Sequence, residues 1–168
     1  MNTLIRLLRP SERSLLEEFC YQAIFLPEGV APLPREIVRT PEIWNYIARF
    51  GTRKDDHCLV AETDGRVVGA VWVRVLAGDE PGSIRGYGNV DAETPEFAIS
   101  VLPEYRNRGI GTRLMAEMID YLRACGYKQT SLSVQKANYA ASMYRKLGFE
   151  TVGENEEDFI MVLKFAES

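Results

Sequence analysis

The chain has one histidine, His57, and three cysteines, Cys20, Cys58 and Cys125, scattered without C-x-x-C spacing. These residues give no metal-ligand pattern, so no metal centre is expected. The odd cysteine count in an ordinary-sized domain suggests reduced, mostly buried thiols and a cytoplasmic address. No apolar run approaches the roughly 20 residues of a membrane span, so no membrane partner is expected. Met1 to Arg9 hold two arginines but lack the apolar stretch and cleavage site of a signal peptide. Basic residues are in deficit, 20 against 24 acidic, for a net charge of −4. No basic face stands out to pair with phosphates, which argues against a nucleic-acid partner. What is present is a globular balance, 46% hydrophobic and 26% charged over 168 residues. That length predicts one domain, 1–168.

Periodicity and punctuation predict the order β-α-α-β-β-β-α-β-α-β-β. The first strand is Thr3 to Leu8, followed by a helix from Pro10 to about Ile24. Leu26 to Pro34 is loop. Thr40 as N-cap, Pro41 at the first helical position and Gly51 as the stop predict a second helix. Asp64-Gly65 joins the strands Cys58 to Thr63 and Arg66 to Leu76 as a hairpin. A long loop, Ala77 to Glu93, leads to the strand Glu96 to Leu102. Gly109 to Cys125 is an amphipathic helix stopped by Gly126, and Gln129 to Val134 is a strand. A helix, Ala140 to Leu147, and two strands, Phe149 to Gly153 and Phe159 to Phe165, close the chain. The fold class is α/β, with helices covering a mixed sheet.

The segment Pro95 to Leu114 carries the clearest chemistry. An apolar strand enters a turn containing Arg106, Arg108, Gly109 and Gly111, and a long helix starts at once. Glycines let the backbone approach a ligand, and free amides at a helix start attract anions. Two arginines add positive charge. This suits a pyrophosphate, although the same residues also shape an ordinary strand-helix turn. A P-loop is absent, and Leu114 stands where a dinucleotide fingerprint needs its third glycine. Gly86-Tyr87-Gly88 follows no apolar strand and opens no helix. Neither G-x-S-x-G nor H-E-x-x-H occurs.

Arg106-Asn107-Arg108-Gly109-Ile110-Gly111 resembles the [Q/R]-x-x-G-x-[G/A] signature of the GCN5-related N-acetyltransferases, the GNAT superfamily. Asn138 to Phe149 (NYAASMYRKLGF) is similar to the family's C-terminal motif, with Asn138 and Tyr144 one residue closer than in its commonest form. The likeness extends over about Leu4 to Phe165. It implies a mostly antiparallel sheet with splayed central strands and about four helices.

The resemblance also implies acetyl-CoA as cosubstrate for an acyltransferase that acetylates a primary amine by direct transfer in a ternary complex. Backbone amides of Arg106, Asn107, Arg108, Gly109, Ile110, Gly111 and Thr112 would hold the pyrophosphate, with Asn138 and Tyr144 on the cofactor side. The backbone of Ile99, Ser100 and Val101 would pair with the pantetheine arm, the Val101 amide polarising the thioester carbonyl. Glu96 is the expected base, with Asp91 and Glu93 as rivals, and Tyr144 the expected acid toward the departing thiolate. As ordinary residues, Glu96 would be a strand-end charge and Tyr144 a core aromatic. Cys125 or Ser133 as nucleophile would need a nearby base, and His57 lies far along the chain. Asp55 and Asp56 read as a solvated turn ahead of the other reading, a pair that attracts a cationic acceptor. Phe25, Arg35, Glu36, Trp44, Tyr46 and Tyr87 fall on the acceptor side, with an acyl pocket near Ile99 and Trp72. Two other readings stay open: a non-catalytic acyl-CoA-binding module, and transfer of a different acyl group. Family members often pair through terminal strands, which leaves a homodimer open.

Overall fold

Asp64 and Gly65 both take positive φ, 51° and 81°, as a two-residue type I′ turn requires. They join strand β2 (His57–Thr63) to β3 (Arg66–Arg74). The computed structural model to which these angles belong describes residues 2–166. Met1, the start of the Met1 to Arg9 segment, lies outside them with Glu167 and Ser168. Strand β1 (Thr3–Leu7) pairs with the outer edge of β2, and β4 (Glu96–Val101) runs antiparallel to β3 with Glu96 opposite Arg74. With β5 (Gln129–Gln135), β6 (Glu150–Glu154) and β7 (Asp158–Lys164), they form a 7-stranded sheet ordered β1-β2-β3-β4-β5-β7-β6.

One junction differs from the rest. β4 and β5 run parallel and are in register only at Glu96 with Ser131. Pro95 O there accepts from Ser131 N at 3.0 Å and Thr130 Oγ1 at 2.8 Å. Beyond that point the strands part, and Ile99 to Val101 line a cleft instead of a neighbouring strand. The mixed α/β class and the splayed centre agree with expectation.

Helix α1 (Leu16–Ala23) lies on one face of the sheet, where Ser100 Oγ donates to Phe19 O at 2.7 Å. Helix α2 (Pro41–Trp44) follows it. Helix α3 (Ile110–Ala124) buries Leu114, Met115, Met118 and Leu122 on the opposite face, with the Leu114 side chain over Gly69 of β3. Helix α4 (Ala140–Lys146) precedes the last two strands.

The first two helices differ from expectation. Pro10–Leu15 is a tight 3-10 helix, because Glu12 caps the Arg9 amide at 2.8 Å while Arg6 grips the same carboxylate. The helix expected over 40–51 keeps α form only through Trp44. Arg74 Nη1 donates to Asn45 O at 3.0 Å and Ala48 O at 2.8 Å, and Trp72 Nε1 donates to Tyr46 O at 3.2 Å. Side chains of β3 thus take carbonyls that a longer helix would use, and Arg49 at φ 50° ends the turn. Thr40 makes no side-chain cap; its hydroxyl donates to Ile37 O in an unforeseen 3-10 helix, Arg35–Arg39. Cys20 and Cys58 are buried, whereas Cys125 is exposed.

Candidate active site

At the start of α3 the chain makes two left-handed turns, Asn107 at φ 63° and Gly109 at φ 82°. Arg113 is the first amide to bond back, to Gly109 O at 3.1 Å. The amides of Ile110, Gly111 and Thr112 therefore have no helical acceptor, and the positive end of a 15-residue helix dipole adds to them. A Cβ at Gly109 would meet no atom within 4 Å, so the approach to this turn is open. Arg106 braces the turn: its Nε donates to Val101 O at 2.9 Å and its Nη2 to Gln22 Oε1 at 3.1 Å. Arg108 is exposed, with its guanidinium 5.4 Å from the Tyr105 ring centre.

From this turn a cleft of about 750 Å³ follows β4 back to Glu96, lined also by Ile99, Ser100, Val101, Ser133, Asn138, Met143 and Tyr144. At ~3.3 Å per residue the two ends of β4 lie roughly 16 Å apart. Asn138 Oδ1 accepts from Ala140 N at 2.9 Å and so opens α4, while Thr112 Oγ1 reaches Met143 Sδ at 3.5 Å. The cleft thus brings together Glu96, Tyr144 and the expected cofactor-binding residues except Arg108.

Glu96 is 2% exposed, and its two oxygens differ. Oε2 accepts from the Tyr46 hydroxyl and from Gly88 N at 3.0 Å; Oε1 has no partner among the described residues. Tyr46 Oη in turn accepts from Tyr87 N at 2.9 Å. Burial pushes the Glu96 carboxyl up to about 7, with the Tyr46 and Gly88 donors opposing part of the rise. Burial, then the nearby Glu96 charge, holds the Tyr46 phenol well above its ordinary value, so it remains a donor.

Two glycines allow this closeness. A Cβ on Gly86 would stand 2.1 Å from Glu96 Oε1, and one on Gly88 would stand 2.5 Å from Leu132 C. Gly86-Tyr87-Gly88 is therefore the loop that presses on the carboxylate where β4 and β5 begin to part. Neither the acceptor-side placing of Tyr87 nor the failed phosphate-loop pattern reaches this role of the two glycines. Its legible signal was a pair of glycines around an aromatic just upstream of a strand-opening glutamate.

Tyr144 reaches the cleft from α4, 7% exposed and with its ring 5.8 Å from Phe149. It is thus both a core aromatic and a wall of the cleft. Burial raises its phenol to about 12. Cys20 also lines the cleft, but burial pushes its thiol to about 12, which leaves little thiolate. Asp91 Oδ1 caps the turn before β4 through Glu93 N at 2.9 Å and Thr94 N at 2.7 Å, and neither Asp91 nor Glu93 lines the cleft. Arg35, Glu36 and Trp44 also stand outside it.

The expected solvated turn at Asp55 and Asp56 needs correction. Asp56 forms a buried two-pronged pair with Arg74, at 2.8 and 2.9 Å. Burial opposes ionisation there, but Arg74 and the Arg53 and Gly51 amides outweigh it and lower the Asp56 pKa. Asp55 accepts from Tyr127 at 2.6 Å, and Tyr127 also meets His57 Nε2 at 3.0 Å. His57, its pKa lowered chiefly by burial, belongs to that cluster and lies outside the cleft lining.

Comparison with known proteins agrees with this geometry. The sequence pattern of the Acetyltransferase (GNAT) family matches residues 18–149. An uncharacterized N-acetyltransferase from Archaeoglobus fulgidus is 30% identical over 111 residues, 63% of this chain and 67% of that protein. A mycothiol acetyltransferase from Acidimicrobium ferrooxidans is 35% identical over 123 residues, 73% of this chain but only 34% of that longer protein. The crystal structure of the PaiA N-acetyltransferase from Thermoplasma acidophilum in complex with coenzyme A shares the fold, with a TM-score of 0.68 at 23% identity over 98% of this chain and 100% of that one. Among the described residues no helix is long and apolar enough to cross a membrane. With both signature segments on one cleft and the family pattern spanning most of the chain, the protein belongs to the GNAT acetyltransferases, a family of acyltransferases.

Proposed function

We propose that the protein is an acetyl-CoA-dependent N-acetyltransferase acting by direct transfer, within one domain spanning 1–168. One observation carries the reading: a single cleft joins a turn of free amides at one end to a buried, half-partnered carboxylate at the other. The amides of Ile110, Gly111 and Thr112 bind the pyrophosphate, with Asn107 and Gly109 shaping the turn. The freed edge of Ile99 to Val101 pairs with the pantetheine arm. The thioester then lies along β4, on the Glu96 side of the pyrophosphate turn.

An acceptor amine arrives mostly as ammonium, and Glu96 takes one proton and passes it to solvent. The free amine attacks the thioester carbonyl carbon, forming the C–N bond. Collapse breaks the C–S bond, and the second nitrogen proton ends on sulfur, so one proton is released per turnover. A phenol at about 12 is a poorer acid than a thiol near ~8.5, so full proton transfer from Tyr144 is uphill by several kcal/mol. Tyr144 therefore acts by donating a hydrogen bond to the departing sulfur.

The test is thiol release from acetyl-CoA in the presence of amines. Wild type should release coenzyme A only with an acceptor, and Tyr144→Phe should bind acetyl-CoA normally but turn over about 10- to 100-fold more slowly. Binding without turnover for any amine would instead make the chain a non-catalytic acyl-CoA-binding module.

A further inference from the structure

The acceptor half of the cleft is unevenly charged. Phe25 and Leu26, just beyond α1, line it together with Ile43, Tyr46, Tyr87 and Glu96. Among the described residues lining the whole cleft, Glu96 is the only carboxylate and Arg106 the only cation. Arg106 stands at the far end of β4 and is already bonded to Val101 O and Gln22. The Tyr46 and Tyr87 rings are nearly parallel, 12° apart with centres at 6.4 Å. Glu96 Oε1 is buried and has no hydrogen-bond partner among the described residues.

Building on the N-acetyltransferase reading, we infer that the acceptor is a primary amine with a single positive charge on an apolar body and no carboxylate beside the nitrogen. The ammonium is drawn toward the Glu96 carboxylate and lies beside the tyrosine pair, whose ring faces favour a cation. An α-carboxylate held there would lose its water with no cation to replace it, as a free amino acid requires. A second ammonium, as in a polyamine, would find no second carboxylate in the cleft. The apolar walls accept a hydrocarbon or aromatic body. Two sources share this chemistry: a small lipophilic amine, and a polypeptide N-terminus with an apolar first residue.

The test compares initial rates of thiol release at saturating acetyl-CoA for phenethylamine, phenylalaninamide, phenylalanine, spermidine and a short peptide beginning with phenylalanine. At least one of phenethylamine, phenylalaninamide and the peptide should exceed both phenylalanine and spermidine by about 50-fold or more in kcat/KM. A peptide preferred over phenethylamine assigns the polypeptide source, and the reverse assigns the small amine. Tyr87→Ala, at a rim position 54% exposed, should raise the KM of the best acceptor about fivefold while leaving that of acetyl-CoA unchanged. Phenylalanine or spermidine as the best substrate, or an unchanged acceptor KM in Tyr87→Ala, overturns this inference and leaves the N-acetyltransferase reading standing. Tight acetyl-CoA binding with no amine turned over defeats both.

Discussion

At Glu96 the needs of chemistry and of folding oppose each other. A carboxyl raised from an ordinary 4.5 to about 7 means the folded chain holds more protons than the unfolded chain between those values, so stability falls as pH rises through that window. Above pH 7 the cost is about 3 kcal/mol. Gln keeps the shape, its carbonyl can serve Tyr46 and Gly88, and its amide takes the place of Oε1. Glu96→Gln should therefore unfold at a higher urea concentration than wild type at pH 8 and show little difference near pH 4. Its turnover should drop by about 100-fold or more. Gly86→Ala tests the same carboxylate from outside, since its methyl would arrive 2.1 Å from Oε1. Turnover should fall by about tenfold or more, and acetyl-CoA should bind as before, measured by steady-state kinetics beside calorimetry.

Among the elements, the segment after α2 shows how tertiary contacts override local preference. Its sequence has a helix start, an apolar stripe and a glycine stop, yet Arg74 and Trp72 of β3 pull three of its carbonyls out of helical use. That distortion delivers Tyr46 to Glu96. The partners are 26 to 50 residues apart in the chain, so no local pattern could have revealed them. The hairpin at Asp64-Gly65 and helix α3 were legible because their signals are local and agree with their packing. The buried Arg74–Asp56 pair was not, because two aspartates before a strand look like any solvated turn. Removing one partner strands a buried charge, so Asp56→Ala should cost about 3–5 kcal/mol. The Asp56 pKa is lowered on folding, so its contribution is present above its ordinary value of 3.8 and is lost as pH falls through its lower folded value. Urea denaturation near pH 7 and again at acid pH should show the gap between variant and wild type shrinking.

At the scale of the whole sheet, every neighbouring pair of described strands but one forms an extended ladder, and the opening between β4 and β5 holds the candidate site. The two signature segments could be read in the sequence because each is contiguous and sits at a helix start. The meeting of Glu96, Tyr46 and Gly88 could not, since three separate parts of the chain supply them. One pH profile should reflect this assembly: kcat/KM for the acceptor should fall as pH drops below about 7, where Glu96 gains a proton. Glu96→Gln should lose that limb.

The most direct test of the central claim is calorimetric titration with acetyl-CoA of wild type, Gly109→Ala and Gly109→Glu. Both variants carry the same backbone strain at φ 82°, and neither side chain meets a protein atom at its Cβ. Only the glutamate places an anion where the pyrophosphate should sit. The account predicts micromolar binding in wild type, modest weakening in Gly109→Ala and loss in Gly109→Glu. Equal binding by all three, or none by wild type, would contradict it.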